Sequence, residues 1–158
     1  MTRENKKPLL QYLSAALFYG VICKYDCVTS YDDVVIKKAN SIGELRGIKP
    51  VFDGQIGFMI NCDVVNALSD NIKPYLRSMS SMTEEERKEL SKRYNWRING
   101  VIQIRHHSDG YWDDDIECST EDYLWLFTWL LKNHFDFMGL IPKGLALEAP
   151  EDMYKKGE

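Results

Sequence analysis

The sequence predicts one α+β domain that spans residues 1–158, with a mainly antiparallel sheet packed against two or three helices. Several segments in the first half of the chain alternate apolar and polar residues, which is typical of half-buried strands. Two later segments flank a Ser-Asp-Gly turn, which is typical of a β-hairpin. Two helical segments begin at capping boxes. A chain of this length can bury roughly two-thirds of its unfolded surface, so it can form a core without disulfides or metals.

The first helix is expected within the apolar run at residues 9–23, which follows basic residues as a secretion signal would. The run is amphipathic, because Gln11 and Ser14 interrupt it and one helical face is apolar. That face holds Leu9, Leu10, Leu13, Ala16 and Leu17. We therefore expect a cytoplasmic protein without membrane contact, since no other apolar run approaches the ~20 residues of a membrane span.

Three strands are predicted after this helix, at residues 18–27, 34–38 and 55–62. Alternate residues of the first strand should point to one face of the sheet. These residues are Val21, Cys23, Tyr25 and Cys27. A polar connection that contains two glycines and Pro50 is expected between the second and third strands.

A second helix is predicted to begin at Thr83, which opens a capping box with Glu86. In such a box the threonine hydroxyl accepts from the glutamate amide, and the glutamate carboxylate accepts from the threonine amide. Two i,i+4 pairs in the favourable order follow, Glu84/Lys88 and Glu89/Arg93. We expect this helix on the surface, because Leu90 and Tyr94 are its only apolar residues.

The hairpin is predicted from residues 101–107 and 111–118, with a three-residue loop between them. This loop sorts apolar and polar residues onto opposite faces, whereas a two-residue turn would mix them. The outer face then holds His107, Asp113, Asp115 and Glu117. These side chains could bind a divalent metal or supply a base. Alternatively, they form a solvated face held by cross-strand ion pairs, because successive same-face residues lie about 7 Å apart and do not converge on one ion.

A third helix is predicted to begin at Ser119, and its apolar residues run nearly all the way round. Trp125 and Trp129 lie on one flank of this helix, roughly opposite Tyr123. Either the helix is sandwiched inside the domain, or the tryptophan flank contacts a protein partner or a second copy of the chain. His134 follows the helix and is interpreted as a packed or C-capping residue.

The motifs of the chain favour a non-enzymatic protein, and no cofactor is predicted. The four cysteines lack Cys-x-x-Cys spacing, which indicates reduced thiols in a cytosolic protein. No motif places a serine or cysteine beside a histidine. The segment at residues 54–57 lacks the third glycine of a phosphate-binding loop.

The net charge of −4 is concentrated in the last third of the chain. Residues 101–158 carry 5 basic and 12 acidic side chains, a balance of −7. This part of the chain would repel a phosphate backbone, so we do not expect it to bind nucleic acid.

Four segments together resemble a family of small bacterial proteins of unknown function, which occur in gut anaerobes and in their phages and mobile elements. They are LSAALFYGV at residues 13–21, KPYLRSMSSMTEEER at 73–87, WLLKNHFDF at 129–137 and GLIPKGLALEAP at 139–150. Phe18 departs from a proline of the family pattern, and Met138 departs from a basic residue. The resemblance implies a compact α+β fold and a cytosolic setting, and it brings no catalytic residues with it.

The sequence therefore predicts a non-enzymatic protein-binding or adaptor module that contacts a partner, or another copy, through Trp125 and Trp129. The alternative is a metal-dependent hydrolase that uses His107 and the acidic face of the hairpin. A nucleic-acid-binding accessory protein is the third hypothesis.

Overall fold

The computed structural model describes residues 6–31, 34–51, 55–61, 63–66, 71–94 and 120–154. These residues contain helices α1 (Lys7–Ala15), α2 (Glu84–Tyr94) and α3 (Thr120–Lys132), and a 3₁₀ turn at Met79–Ser81. They also contain the strands β1 (Ile22–Tyr31), β2 (Val34–Val51), β3 (Gln55–Ile60), β4 (Asp63–Asn66), β5 (Ile72–Leu76) and β6 (Leu147–Glu148).

Within the described residues the strands form one six-stranded sheet in the order β4-β3-β2-β1-β5-β6. The neighbouring strands pair antiparallel, apart from the parallel pair of β5 and β6. The Tyr25 hydroxyl on β1 donates to Asp63 Oδ2 on β4 at 2.6 Å, although two strands separate them in the sheet. The sheet therefore curls over its own face. The prediction of a single α+β domain with a mainly antiparallel sheet is confirmed.

The prediction of a polar connection after residue 38 is wrong, because strand β2 runs through this part of the chain. The strand continues to Val51, pairing with β1 up to Glu44 and with β3 from Leu45 onward. A register shift between Leu45 and Gly47 marks the irregularity where β2 pairs with β3. Bulges of this kind bend a strand, and glycines within a strand often mark such a place.

Gly43 shows why a glycine occurs within this strand. A Cβ atom at Gly43 would lie 2.4 Å from Asn61 Nδ2, so any larger residue would displace that side chain. Asn61 has a positive φ of 53° at the turn after β3. The Asn61 side-chain Oδ1 accepts from the Glu44 backbone amide at 3.0 Å, and the Asn61 backbone amide donates to the Glu44 carbonyl at 2.9 Å. Glycine is therefore required at this position because β2 closely approaches the end of β3 and the turn after it. Loop propensity alone does not predict this contact.

The main core lies between α1, the inner face of the sheet and the segment after α3. The first predicted strand, at residues 18–27, begins later than expected, at Ile22, because residues 16–20 form a turn. Its inner-face prediction is confirmed at Cys23 and Tyr25, which are buried, and Val21 just before the strand is also buried. The amphipathic first helix is also confirmed, because Leu9 and Leu13 are buried whereas Gln11 and Ser14 are exposed. None of the described helices is long and apolar enough to cross a membrane.

A smaller apolar cluster joins α2 to α3. Its buried residues are Met82, Leu90, Trp129, Leu130 and Phe135. The predicted capping box begins α2, since the Thr83 amide donates to Glu86 Oε2 at 2.8 Å and the Glu86 amide donates to Thr83 Oγ1 at 3.2 Å. The predicted pair of Glu84 and Lys88 is present at 3.8 Å on the exposed side of the helix.

Candidate functional site: helix α3 and the segment that follows it

Helix α3 changes its exposure along its length. Near its C-terminus three consecutive residues are buried, Trp129, Leu130 and Leu131, whereas the final residue, Lys132, is exposed. Toward its N-terminus, in contrast, three large apolar side chains reach the surface. They are Tyr123, Leu124 and Phe127, which are 50%, 65% and 41% exposed, and we call them the α3 patch.

Phe127 lies four residues after Tyr123 and three residues after Leu124, spacings that make side chains neighbours on a helix, so the three residues lie on one side. Phe127 packs edge-on against Phe137, with ring centroids 5.1 Å apart. The segment that follows α3 therefore packs against the patch through Phe137. The sequence analysis places the candidate contact surface on the tryptophan flank, roughly opposite Tyr123, whereas the large exposed apolar residues of α3 lie on the Tyr123 side.

The two tryptophans that the sequence singled out lie in different environments. Trp129 is 6% exposed and is stacked between Trp125 and Phe135, at centroid distances of 6.4 and 5.7 Å. Trp125 is half-buried at the edge of this stack. Trp129 therefore belongs to the core cluster, and the partner-binding role of the flank stays a prediction.

Helix α3 ends in a Schellman motif centred on His134. The His134 amide donates to the Leu131 carbonyl at 3.0 Å, and the Phe135 amide donates to the Leu130 carbonyl at 3.0 Å. His134 has a φ of 59°, a left-handed conformation that glycine or asparagine adopts more readily. The interpretation of His134 as a packed residue at the helix end agrees with this geometry.

The His134 ring is buried and stacks on the ring of Tyr154, with centroids 3.7 Å apart. Burial, with a smaller contribution from the nearby Arg77 cation, lowers the pKa of His134 to about 4. The imidazole is therefore neutral near pH 7. Its Nδ1 atom has no hydrogen-bond partner among the described residues.

Asp136 organises the turn that follows. Its carboxylate is buried and accepts from the Leu140 amide at 2.7 Å and from the Ile141 amide at 2.8 Å. Its own amide donates to the Arg77 carbonyl at 2.8 Å, and the Arg77 amide donates to the His134 carbonyl at the same distance. These bonds attach the end of α3 to the end of β5.

The Arg77 side chain extends this connection to α2. Its guanidinium donates to both carboxylate oxygens of Glu86, at 2.6 and 2.8 Å, and to the Ser81 carbonyl at 3.2 Å. It also lies 4.3 Å from the centre of the Phe135 ring. Hydrogen bonds from Arg77 and Thr83 hold the pKa of Glu86 below its usual value against the opposing effect of burial. Glu86 is therefore a charged structural partner.

The C-terminal segment closes the other side of this region through Tyr154. The Tyr154 hydroxyl accepts from the Ile22 amide at 3.1 Å and donates to the Tyr75 carbonyl at 2.8 Å. The regular pairing of β1 with β5 ends at Cys23 and Pro74, which are the neighbours of Ile22 and Tyr75 in the chain. The hydroxyl therefore bridges the two strands at the position where their ladder ends.

Burial keeps the titratable groups around Tyr154 in their uncharged forms. Burial raises the pKa of the Cys23 thiol to about 12, so the thiol stays protonated and is a poor nucleophile. Burial is also the largest cause of the raised pKa values of Tyr12 and Tyr154. With His134 also neutral, these four side chains carry no charge near pH 7.

The candidate metal ligands His107, Asp113, Asp115 and Glu117, with the predicted hairpin, lie outside the described residues. Within the part of the chain that the structure describes, no three His, Cys, Asp or Glu side chains are grouped so as to hold a metal ion. In comparisons with protein-family models, curated proteins and solved structures, no match to this chain was found.

Proposed function

We propose that the protein is a non-enzymatic protein-binding module whose α3 patch contacts a partner protein or a second copy of the chain. The exposure of Tyr123, Leu124 and Phe127 on one side of one helix carries this proposal. Single exposed apolar residues are common on soluble proteins, but a group of adjacent ones marks a contact surface. Aromatic side chains are also enriched where binding energy is concentrated.

The support beneath the patch favours binding without rearrangement. Three consecutive residues near the end of α3 are buried, and the Schellman motif with the Asp136 turn fixes the segment that carries Phe137. A surface that is rigid before binding loses little conformational entropy when its partner arrives. The protonated thiol of Cys23 is a poor nucleophile, which agrees with a binding role.

A photocrosslinking residue in place of Leu124 tests the proposal, with the same residue in place of Lys88 on α2 as the control. Both side chains are well exposed, at 65% of Leu124 and 65% of the Lys88 side chain. In an extract of the source cells, irradiation should give a discrete adduct from position 124 that excess unlabelled protein suppresses. Position 88 should give none.

Sedimentation of the purified protein identifies a second copy as the partner if the chain dimerises and Leu124→Lys abolishes the dimer. A lack of any adduct from position 124 in a monomeric protein would refute the proposal. Equal adducts from both positions would also refute it, because they would show nonspecific contact.

We also propose that the protein acts in the bacterial cytoplasm and is encoded by a mobile element. The family resemblance supports this setting, and the free, buried thiol of Cys23 is compatible with it. Fractionation of the source cells tests the location, and recovery of the protein outside the cytoplasmic fraction would contradict it.

A further inference from the structure

The face of the sheet that points away from the core carries two lysines directly opposite each other. Lys24 on β1 and Lys73 on β5 are partners in the antiparallel register, so their side chains lie on the same face. Both are half-buried, whereas their neighbours Cys23 and Ile72 are buried in the core. Residues that are directly opposite have Cβ atoms about 5 Å apart, and like charges in such a pair are destabilising. The two lysines therefore repel each other in the free protein.

Among the described residues no acidic side chain forms an ion pair with either lysine. Two carboxylates lie nearby on the same face, but each binds other donors. Asp26 accepts from the Asn40 backbone amide at 2.7 Å and from the Asn71 side chain at 3.1 Å. Glu44 accepts from the Arg46 guanidinium at 3.0 Å. The charge of the two lysines is thus available to a bound anion.

Apolar side chains surround the two lysines on this face. Ile42 on β2 is the register partner of Lys24 on its other side, and it is 55% exposed. Ile22 and Tyr75 are half-buried and lie two residues from Lys24 and Lys73 along their strands, which places them on the same face. We call these five residues the lysine face. A ligand that fits it combines negative charge at the centre with apolar groups beside it.

We propose that the lysine face binds an acidic amphipathic helix of a partner protein. A sheet face with apolar residues is commonly covered by a helix. Acidic residues four apart on a helix lie about 5–6 Å from each other, which matches the separation of about 5 Å between two directly opposite residues of a sheet. Residues on one side of an extended strand lie nearly 7 Å apart, so an extended acidic segment matches the two lysines less well.

Two other anionic ligands fit this surface less well. Small ligands bind in concave sites, whereas these residues lie along one face of neighbouring strands. A nucleic acid carries phosphates along its whole length, and the carboxylates of Asp26 and Glu44 would repel those that do not meet a lysine. A helix can place its acidic residues at the lysines alone. The lysine face shares no residue with the α3 patch, so this inference goes beyond the proposed function.

Fluorescence anisotropy at low salt tests the site with a labelled synthetic helical peptide. The peptide carries a stripe of leucines and two glutamates four residues apart, and a matched peptide has glutamines in place of the glutamates. The purified full chain should bind the glutamate peptide several-fold more tightly than the glutamine peptide. Lys24→Gln and Lys73→Gln should each weaken binding of the glutamate peptide roughly two- to five-fold, the usual size for one exposed ion pair. Lys49→Gln, which changes an exposed lysine near the other end of β2, should leave binding unchanged.

The proposal is overturned if the glutamate peptide does not bind, if both peptides bind equally, or if neither substitution at the lysine pair weakens binding. Tighter binding of a single-stranded DNA oligonucleotide than of the glutamate peptide would also overturn it. The variant Leu124→Lys should bind the glutamate peptide as the natural chain does. A failure of the lysine face is therefore distinguishable from a failure of the α3 patch.

The same substitutions should have the opposite effect on the stability of the free protein. Removing one of two opposed like charges should raise the ratio of folded to unfolded protein roughly two-fold at low salt, and added salt should reduce this gain. Lys49→Gln should leave the ratio unchanged. Urea denaturation measures the ratio. An unchanged or lower ratio for both Lys24→Gln and Lys73→Gln would contradict the proposal, because it would show that the two lysines do not need an external anion.

Discussion

Acidification below neutral pH should destabilise the protein through His134. Burial lowers the pKa of this histidine from 6.5 to about 4 in the folded state. Between these two values the unfolded chain binds a proton that the folded chain excludes. Stability is therefore complete above pH 6.5, and it is lost progressively as the pH falls toward 4.

The size of the effect follows from the two pKa values. A difference of one pKa unit corresponds to about 1.4 kcal/mol. The full difference for His134 limits the effect to about 3 kcal/mol, and linkage gives a loss of about 2 kcal/mol between pH 7 and pH 4.5. That loss is a large part of the 5–15 kcal/mol that typically stabilises a domain, by order of magnitude.

Urea denaturation between pH 7 and pH 4.5, on the natural chain and on His134→Asn, provides the assay. Asparagine does not titrate, and it tolerates the left-handed φ of 59° at this position. Because the carboxylates titrate in both proteins, the difference between the two pH profiles isolates His134. We expect the natural chain to lose about 2 kcal/mol more than the variant.

Parallel pH profiles for the two proteins would refute this reasoning. An independent check is the NMR titration of the His134 ring, for which a midpoint below 5 is expected from the lowered pKa of about 4. A midpoint near 6.5, the ordinary value for histidine, would show that the ring is hydrated in the folded state.

Three further predictions concern the contacts around the sheet and α2. Arg77→Met should destabilise the fold by about 2 kcal/mol, because a charged hydrogen-bonded group loses its partners and leaves a carboxylate unpaired; urea denaturation measures the change. Gly43→Ala should cost about 1–3 kcal/mol, as overpacking does, because the new methyl group would meet Asn61 Nδ2 at 2.4 Å; thermal unfolding measures it. The pKa of Asp26 should lie below its usual value, because the Asn40 backbone amide and the Asn71 side chain donate to its carboxylate. A carboxyl-carbon NMR titration measures this pKa. The stability that these two hydrogen bonds contribute should be lost as the pH falls through it.

Each of these predictions has a matched comparison. Lys88→Met removes an exposed charge whose ion pair with Glu84 is 3.8 Å long, so a loss equal to that of Arg77→Met would contradict the special role of Arg77. At Gly47 a new methyl group would meet the flexible Met59 side chain at 3.3 Å, so Gly47→Ala should be milder than Gly43→Ala, and the reverse order would count against the strand contact. An Asp26 carboxyl that titrates at its ordinary value would disprove the two hydrogen bonds to it.

Local patterns predicted the parts of the fold that depend on neighbouring residues. The capping box at Thr83, the inner face of β1 and the amphipathic α1 all follow from periodicity over a few residues. The third strand was also correctly placed, although it ends at Ile60 rather than at residue 62. Such features form because side chains three or four residues apart, or two apart in a strand, share one environment.

The contacts that join distant parts of the chain were beyond such patterns. The sequence did not predict the full length of β2, because a glycine such as Gly43 is typical of a turn. In the structure Gly43 instead leaves room for the side chain of Asn61, in the turn after β3. The exposure of the α3 patch was missed for a related reason. A helix that is apolar all round contains no information about which side meets the core.

The sequence by itself determined the α+β class, the start of α2 and the burial of the first strand, because each depends on a pattern of nearby residues. Only the tertiary structure decided that Trp129 is buried while Leu124 is exposed. It alone also placed Arg77 between Glu86 and Phe135, and the Tyr154 hydroxyl between β1 and β5. These contacts join residues that lie up to 132 positions apart. Their geometry depends on how whole helices and strands pack together, and a pattern within a short segment of sequence does not specify that packing.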